Sequence, residues 1–153
     1  IHQGAVKNIL PDLIDRLIKE GVEVRGSEEV CALDSRCQKA GDADWDTEYL
    51  DLIISIKIVT SLDEALAHIE QHGSRHSDAI ITENSSHADR FIREVNNAAV
   101  LVNASTRLVD GGEFGLGAEF GISTAPIHMR GPMGLEDLTV TKYIVLGDGQ
   151  IRE

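Results

Sequence analysis

Residues 103–121 read NASTRLVDGGEFGLGAEFG and set Gly111, Gly112, Gly115, Gly117 and Gly121 around Phe114 and Arg107. Glycines at that density let the backbone take positive φ and come close to a ligand. The hydroxyls of Ser105 and Thr106 and the Arg107 guanidinium add donors suited to an anionic group. The stretch is read as a binding loop. A dinucleotide fingerprint is the competing idea, but the glycines from Gly115 to Gly121 are spaced GxGxxxG. That fingerprint also needs a strand before the glycines, a helix opening after them and an acid about 20 residues on. A glycine-rich active-site loop fits better.

Three other constellations carry weaker chemistry. His68, His72 and His76 stand four apart, which could stack three zinc ligands on one helix face. Gly73 and Ser74 interrupt that helix and no carboxylate stands at a zinc-motif spacing, so solvated histidines are the expectation and no metal site is assigned. Only His76, in GSRHSDAIITEN, is kept as a residue lining a site. Cys31 and Cys37 lie in the least regular part of the chain, away from any expected helix N-terminus beside a base, and are read as inert. Glu48 stands just ahead of an apolar strand, where α/β proteins bind ligands and ribose hydroxyls could donate to it. On periodicity alone it reads as one more surface acid.

The elements that must carry these residues follow from hydrophobic patterning. Leu10, Leu13, Ile14, Leu17 and Ile18 share one face of a helix expected over 9–20, stopped by Gly21. A short strand is expected at 22–25, and 26–46 reads as loop with one further short strand. LIISIKIV, residues 52–59, is β-branched and apolar, as in a buried central strand. Ser61 and Glu64 form a capping box that opens a helix from Leu62 to His72. Strands at 78–82 and 98–102 flank a helix at 86–95 capped by Ser85 or Ser86. Strand, helix, strand, helix, strand with short links places the chain in the α/β class, on a mostly parallel sheet. A last β-rich run, 139–146, is expected to leave the domain and pair elsewhere, for example with another subunit.

At 153 residues the chain fits one domain and could bury about 70% of its unfolded surface. Its charge of −12 repels phosphate backbones, so no nucleic-acid partner is expected. No apolar run approaches the ~20 residues that span a bilayer, so no membrane role is expected either. A small soluble substrate is the better partner. Two cysteines form neither a disulfide framework nor a zinc quartet, which points to a reducing, cytoplasmic address. The chain opens on Ile1 with no signal-peptide pattern, and is expected to be a piece of a longer protein.

Read further, VLVNASTRLVDGGEFGLGAEFGISTAPIHMRGPMGLEDLTVTKYIVLGDGQIR resembles the C-terminal end of γ-glutamyl phosphate reductase, also called glutamate-5-semialdehyde dehydrogenase. GSRHSDAIITEN and TEYLDLIISIKIVTSLDEALAHI extend the likeness, and Ile1-His2 is similar to the end of a strand in that family. The family is part of the aldehyde dehydrogenase superfamily. The resemblance implies a portion of an α/β catalytic domain over 1–134 and a tail over 135–153 that serves as an oligomerisation arm in a homo-oligomer. It implies NADP as cofactor and a place in proline biosynthesis. The family's nucleophilic cysteine lies upstream of Ile1, so this chain supplies no catalytic nucleophile and is expected to be inactive alone.

In that chemistry a cysteine thiolate displaces phosphate from γ-glutamyl phosphate, and the resulting thioester is reduced with hydride from NADPH to glutamate 5-semialdehyde. By the same resemblance Glu48 accepts hydrogen bonds from the nicotinamide ribose. Leu50 takes a cofactor-facing position that usually carries an aromatic ring. Ser105, Thr106 and Arg107 anchor the glutamate end of the substrate, Phe114 walls the pocket, and the N–H groups of Gly115 and Gly117, with Arg130, approach the phosphate. The competing reading is a non-catalytic α/β module that holds a small anion on its glycine-rich loop.

Overall fold

The computed structural model describes residues 1–152. Helices α1 (Val6–Lys19), α2 (Glu28–Leu33), α3 (Leu62–His72) and α4 (Ser85–Glu94) alternate with strands β1 (Glu23–Gly26), β2 (Gln38–Lys39), β3 (Ile53–Ile56), β4 (Ser77–Ile80) and β5 (Ala99–Val102). All ladders are parallel, as the α/β pattern requires, but they form two sheets: β2-β1-β3 and β4-β5. Glu23 pairs with Ile53 and Ser77 with Ala99, which fixes each register from its first residue.

Helix α1 begins earlier than its apolar face suggests, because its first residues, Val6-Lys7-Asn8, carry no periodic signal. Its end is as expected: Gly21 takes φ 78°, its N–H bonds Ile18 O and the Val22 N–H bonds Leu17 O, the pattern of a Schellman stop. Helix α3 runs as expected, with Ser61 Oγ accepting from the Glu64 N–H at 3.1 Å. The Glu64 carboxylate reaches one residue further back than a capping box prescribes, to the N–H and hydroxyl of Thr60, both at 2.8 Å. The cap of α4 is Asn84 rather than Ser85 or Ser86, since Asn84 Oδ1 accepts from the His87 N–H.

Three expectations change. The stretch 26–46 holds a helix, α2, too short to show a period and pinned by one buried side chain, Val30. Strand β3 is neither fully buried nor central: β1 is the middle strand, and Ile54 is 38% exposed. After β3, residues 57–59 pair with the chain start, the Ile1 amino group donating to Lys57 O at 2.7 Å and His2 bridging Val59 in parallel. The run 139–146 joins no ladder among the described residues, and Val140, Tyr143 and Leu146 stand in solvent. A β-prone run gains its hydrogen bonds only against a partner edge, and no edge of this chain meets it. Glu153, the end of the expected tail, lies outside the described residues.

The core is one cluster: Leu10 and Ile14 from one face of α1, Val24 of β1, Val30 of α2 and Ile56 of β3. Beyond it, Val59, Phe91, Val95 and Ala99 are buried. The side chains that are packed completely all fall within residues 10–30, so the β2-β1-β3 sheet is the firm platform of the molecule.

Candidate functional site

Glu48 sits in the loop that leads into β3, and that loop is tied down by side chains. The Asp44 carboxylate accepts from Arg25 Nη1 at 2.7 Å, from the Gly41 N–H at 2.7 Å and from the Tyr49 hydroxyl at 2.8 Å. Arg25 comes from the middle strand and also donates to Glu23, at 2.6 Å. These donors, Arg25 first, then Gly41 and Tyr49, hold the Asp44 carboxyl down at about 2, well below the usual carboxylate range. Tyr49 shares a second hydrogen bond with Ser55 Oγ at 2.6 Å, and the Arg25 guanidinium lies 5.0 Å from its ring centroid. On the other side of Glu48, the Thr47 hydroxyl donates to Ala43 O at 2.6 Å and Asp46 meets His72 Nδ1 at 2.8 Å.

Within this frame the Glu48 carboxylate is exposed and makes no hydrogen bond among the described residues. It lines an open cleft of about 700 Å³ with Trp45, His72, Ser74, His76 and Thr124. An unengaged carboxylate at the mouth of a cleft suits an acceptor for ribose hydroxyls, which can only donate to it. Leu50 has φ 51° and is 89% exposed, so it faces away from any packing within this chain.

His76 does line the Glu48 cleft. It lies past the end of α3, in the turn before β4, with Nδ1 bonded to Ser77 Oγ at 2.7 Å and a buried Nε2 that has no hydrogen-bond partner among the described residues. His68 and His72 remain on α3 with ring centroids 4.7 Å apart, and His68 meets Trp45 edge-on. Burial, before any charge, pushes the His68 pKa down. Cys31 Sγ is 3.5 Å from Gly26 O, and burial pushes the Cys37 thiol up, the opposite of an activated nucleophile.

The second group of residues begins where β5 ends. Asn103 takes φ 54° and uses its side chain as a piece of sheet, Oδ1 accepting from the Thr82 N–H at 2.8 Å and Nδ2 donating to Thr82 O at 2.9 Å. Ser105 Oγ caps a 3-10 turn, Thr106–Leu108, by accepting from the Arg107 N–H. Ser105 therefore spends its acceptor on the loop, while Thr106 and Arg107 stand exposed and Arg107 makes no ion pair among the described residues. In the glycine run, Asp110 Oδ1 accepts from the N–H groups of Gly112 and Glu113, and Gly115 and Gly117 take φ 75° and 78°.

Two of the expected phosphate-side groups have partners within the chain. The Gly115 N–H bonds Gly112 O at 3.0 Å. Arg130 donates to Asn96 O at 2.8 Å and to Arg75 O at 3.3 Å, tying the RGPMG turn to the segments ahead of β5 and β4. Phe114 is 48% exposed. Glu48 and Arg107 also stand at opposite ends of the sheets: Glu48 where strands begin, Arg107 where β5 has finished. The cleft before Glu48 contains no residue of 103–121.

No model of a known protein family matches the chain. Among curated proteins it is 54% identical over 162 residues to a γ-glutamyl phosphate reductase of Clostridium tetani, covering 99% of this chain and 38% of the relative. The family it matches is that of the γ-glutamyl phosphate reductases. A second reductase, from Halothermothrix orenii, is 54% identical over the whole chain and 37% of its own length. The crystal structure of the γ-glutamyl phosphate reductase of Thermotoga maritima superimposes with a TM-score of 0.93 at 51% identity, over 99% of this chain and 37% of that one. The chain thus spans somewhat more than a third of the length of the γ-glutamyl phosphate reductases it matches. The α/β fold, with parallel strands and flanking helices, is that of the matching part of the Thermotoga enzyme.

Proposed function

We propose that this chain is a portion of the catalytic α/β domain, residues 1–134 with a tail over 135–153, of an NADPH-dependent reductase. That enzyme converts γ-glutamyl phosphate to glutamate 5-semialdehyde and phosphate, in proline biosynthesis and in the cytoplasm. The observation that carries this reading is the 54% identity to γ-glutamyl phosphate reductases along the entire chain. The nucleophilic thiolate comes from residues outside it, in keeping with the unactivated thiol of Cys37.

When bound, the nicotinamide cofactor supplies a hydride. Glu48 holds the nicotinamide ribose by accepting from its hydroxyls, and the loop 103–107 holds the glutamate end, Arg107 by pairing with the α-carboxylate. Asp110 and the helical turn at Thr106 shape the loop so that Arg107 remains unpaired until substrate arrives. The exposed run at 139–146 pairs with another subunit in a homo-oligomer.

The test is an assay of the full-length protein, following NADP reduction when glutamate 5-semialdehyde and phosphate are supplied. Failure to reduce NADP in the presence of both would overturn the proposal. In that protein Glu48→Gln slows hydride transfer more than it weakens cofactor binding, read by single-turnover kinetics and by titration of the dinucleotide. Equal single-turnover rates for variant and parent would remove Glu48 from the role.

A further inference from the structure

Glu48 is presented by a loop whose neighbouring side chains point to different work. Tyr49, the next residue, lines a neighbouring cleft of about 490 Å³ beside β3, together with Asp44 and Ser55, whereas Glu48 lines only the cleft described above. A tyrosine of a surface loop needs no such fixing for solubility or packing alone. Here its hydroxyl is held by two partners, Asp44 at 2.8 Å and Ser55 at 2.6 Å, and its ring lies beside Arg25. Asp44 and Ser55 stand on opposite flanks of Glu48 in the chain, one in the loop and one in β3, so the phenol joins the loop to the sheet. Leu50, immediately after it, adopts φ 51°, uncommon for a residue other than glycine.

We infer that Tyr49 is a positioning residue of the Glu48 site: its hydroxyl, bonded to Asp44 and Ser55, fixes the backbone that presents the Glu48 carboxylate to the cleft. Neither Tyr49 nor Asp44 touches the ligand. Both act through the placement of Glu48, because a carboxylate on a loose loop must give up its freedom each time it binds, and a preset one does not. The inference rests on the reading of Glu48 as a ribose acceptor.

The test is a double-mutant cycle in the full-length enzyme, with Glu48→Gln, Tyr49→Phe and the pair, read as single-turnover hydride transfer and as dinucleotide affinity. Tyr49→Phe keeps the ring and removes the bridging hydroxyl, and the expected loss in hydride transfer is about tenfold, the effect of one hydrogen bond in a fixed network. In the Glu48→Gln background the same change costs less than about twofold, since nothing is left to position. A merely structural tyrosine gives the same loss in both backgrounds, and that result, or no loss from Tyr49→Phe alone, overturns the positioning role while leaving Glu48 in place. If Glu48→Gln itself is silent, the ribose reading falls and the positioning role with it. Should Tyr49→Phe not fold, Ser55→Ala removes the same bond from the sheet side and is held to the same two outcomes.

Discussion

The two loops that carry the candidate ligand-binding groups are built on different principles. Residues 41–50 are held by side chains: Asp44 gathers Arg25, Gly41 and Tyr49, Asp46 meets His72, and the whole rests on the sheet with the densest core. Residues 103–121 are held through main-chain groups, bonded to one another or to the side chains of Asn103 and Asp110, and by glycines at positive φ. A side-chain frame fixes one group, Glu48, and is remade or lost as a unit. A glycine frame leaves its side chains free, and Arg107 is exposed and unpaired among the described residues as a result.

The comparison predicts that function and folding separate in the second loop and not in the first. Arg107→Ala in the full-length enzyme raises the substrate KM by about 30-fold or more, the ~2 kcal/mol or greater loss of a desolvated charge contact. Its melting temperature stays that of the parent, because Arg107 holds nothing in the fold. An unchanged KM for glutamate 5-semialdehyde would take Arg107 out of the site and leave the loop without its principal anion donor.

Backbone construction is broken most directly at Gly111, where a Cβ would lie 2.4 Å from Ala118 O and 2.8 Å from its carbonyl carbon. Gly111→Ala is expected to destabilise the loop by about 1–3 kcal/mol, the cost of overpacking against atoms that cannot move independently. Denaturant titration of the full-length protein, with amide exchange over 103–121, measures it. Protection that is unchanged across 103–121 would show that the loop is not held at that glycine.

These two frames were unequally legible in the sequence. The glycine run announces itself, since five glycines within eleven residues serve no helix or strand, and residues 103–121 do form an irregular, backbone-bonded loop. Helix α3 was equally plain, because Ser61, Glu64 and Gly73 mark its ends locally. The Glu48 frame was not. GDADWDTE looks like a solvated acidic loop, and what makes it a frame is Arg25, nineteen residues from Asp44, and Ser55, which a parallel register brings alongside. Resemblance to the reductases reached Glu48, yet no local signal reached Asp44 or Tyr49. Helix α2 was missed for a related reason, as one buried Val30 gives no periodicity. The contacts of Arg130 were likewise hidden: an arginine in a glycine-proline turn suggests an anion site, and nothing local announces that it also donates to the carbonyls of Asn96 and Arg75.

The side-chain frame has a pH at which it opens. Asp44 titrates at about 2 in the folded chain, chiefly because Arg25 donates to it, against about 3.9 when unfolded. A carboxyl whose folded value is depressed contributes stability that is complete above the unfolded value and disappears as pH falls through the folded one. The stability that the ties of the Glu48 loop to Arg25 and Tyr49 contribute is therefore complete above pH ~4 and declines below it, and the ties themselves open as pH falls through about 2, where Asp44 becomes protonated in the folded chain. Trp45, the one tryptophan of this chain, lies next to Asp44 and reports on that loop. Its fluorescence should change as pH falls through about 2, and Asp44→Asn should remove that component because the titrating group is gone. A variant that retains the full transition would place its origin elsewhere. Amide exchange over 103–121 should follow no Asp44-dependent step, since the bonds that hold that loop are made by the backbone, by Asn103 and by Asp110. A step common to both loops would mean that they open together, and the distinction between the two frames would fail.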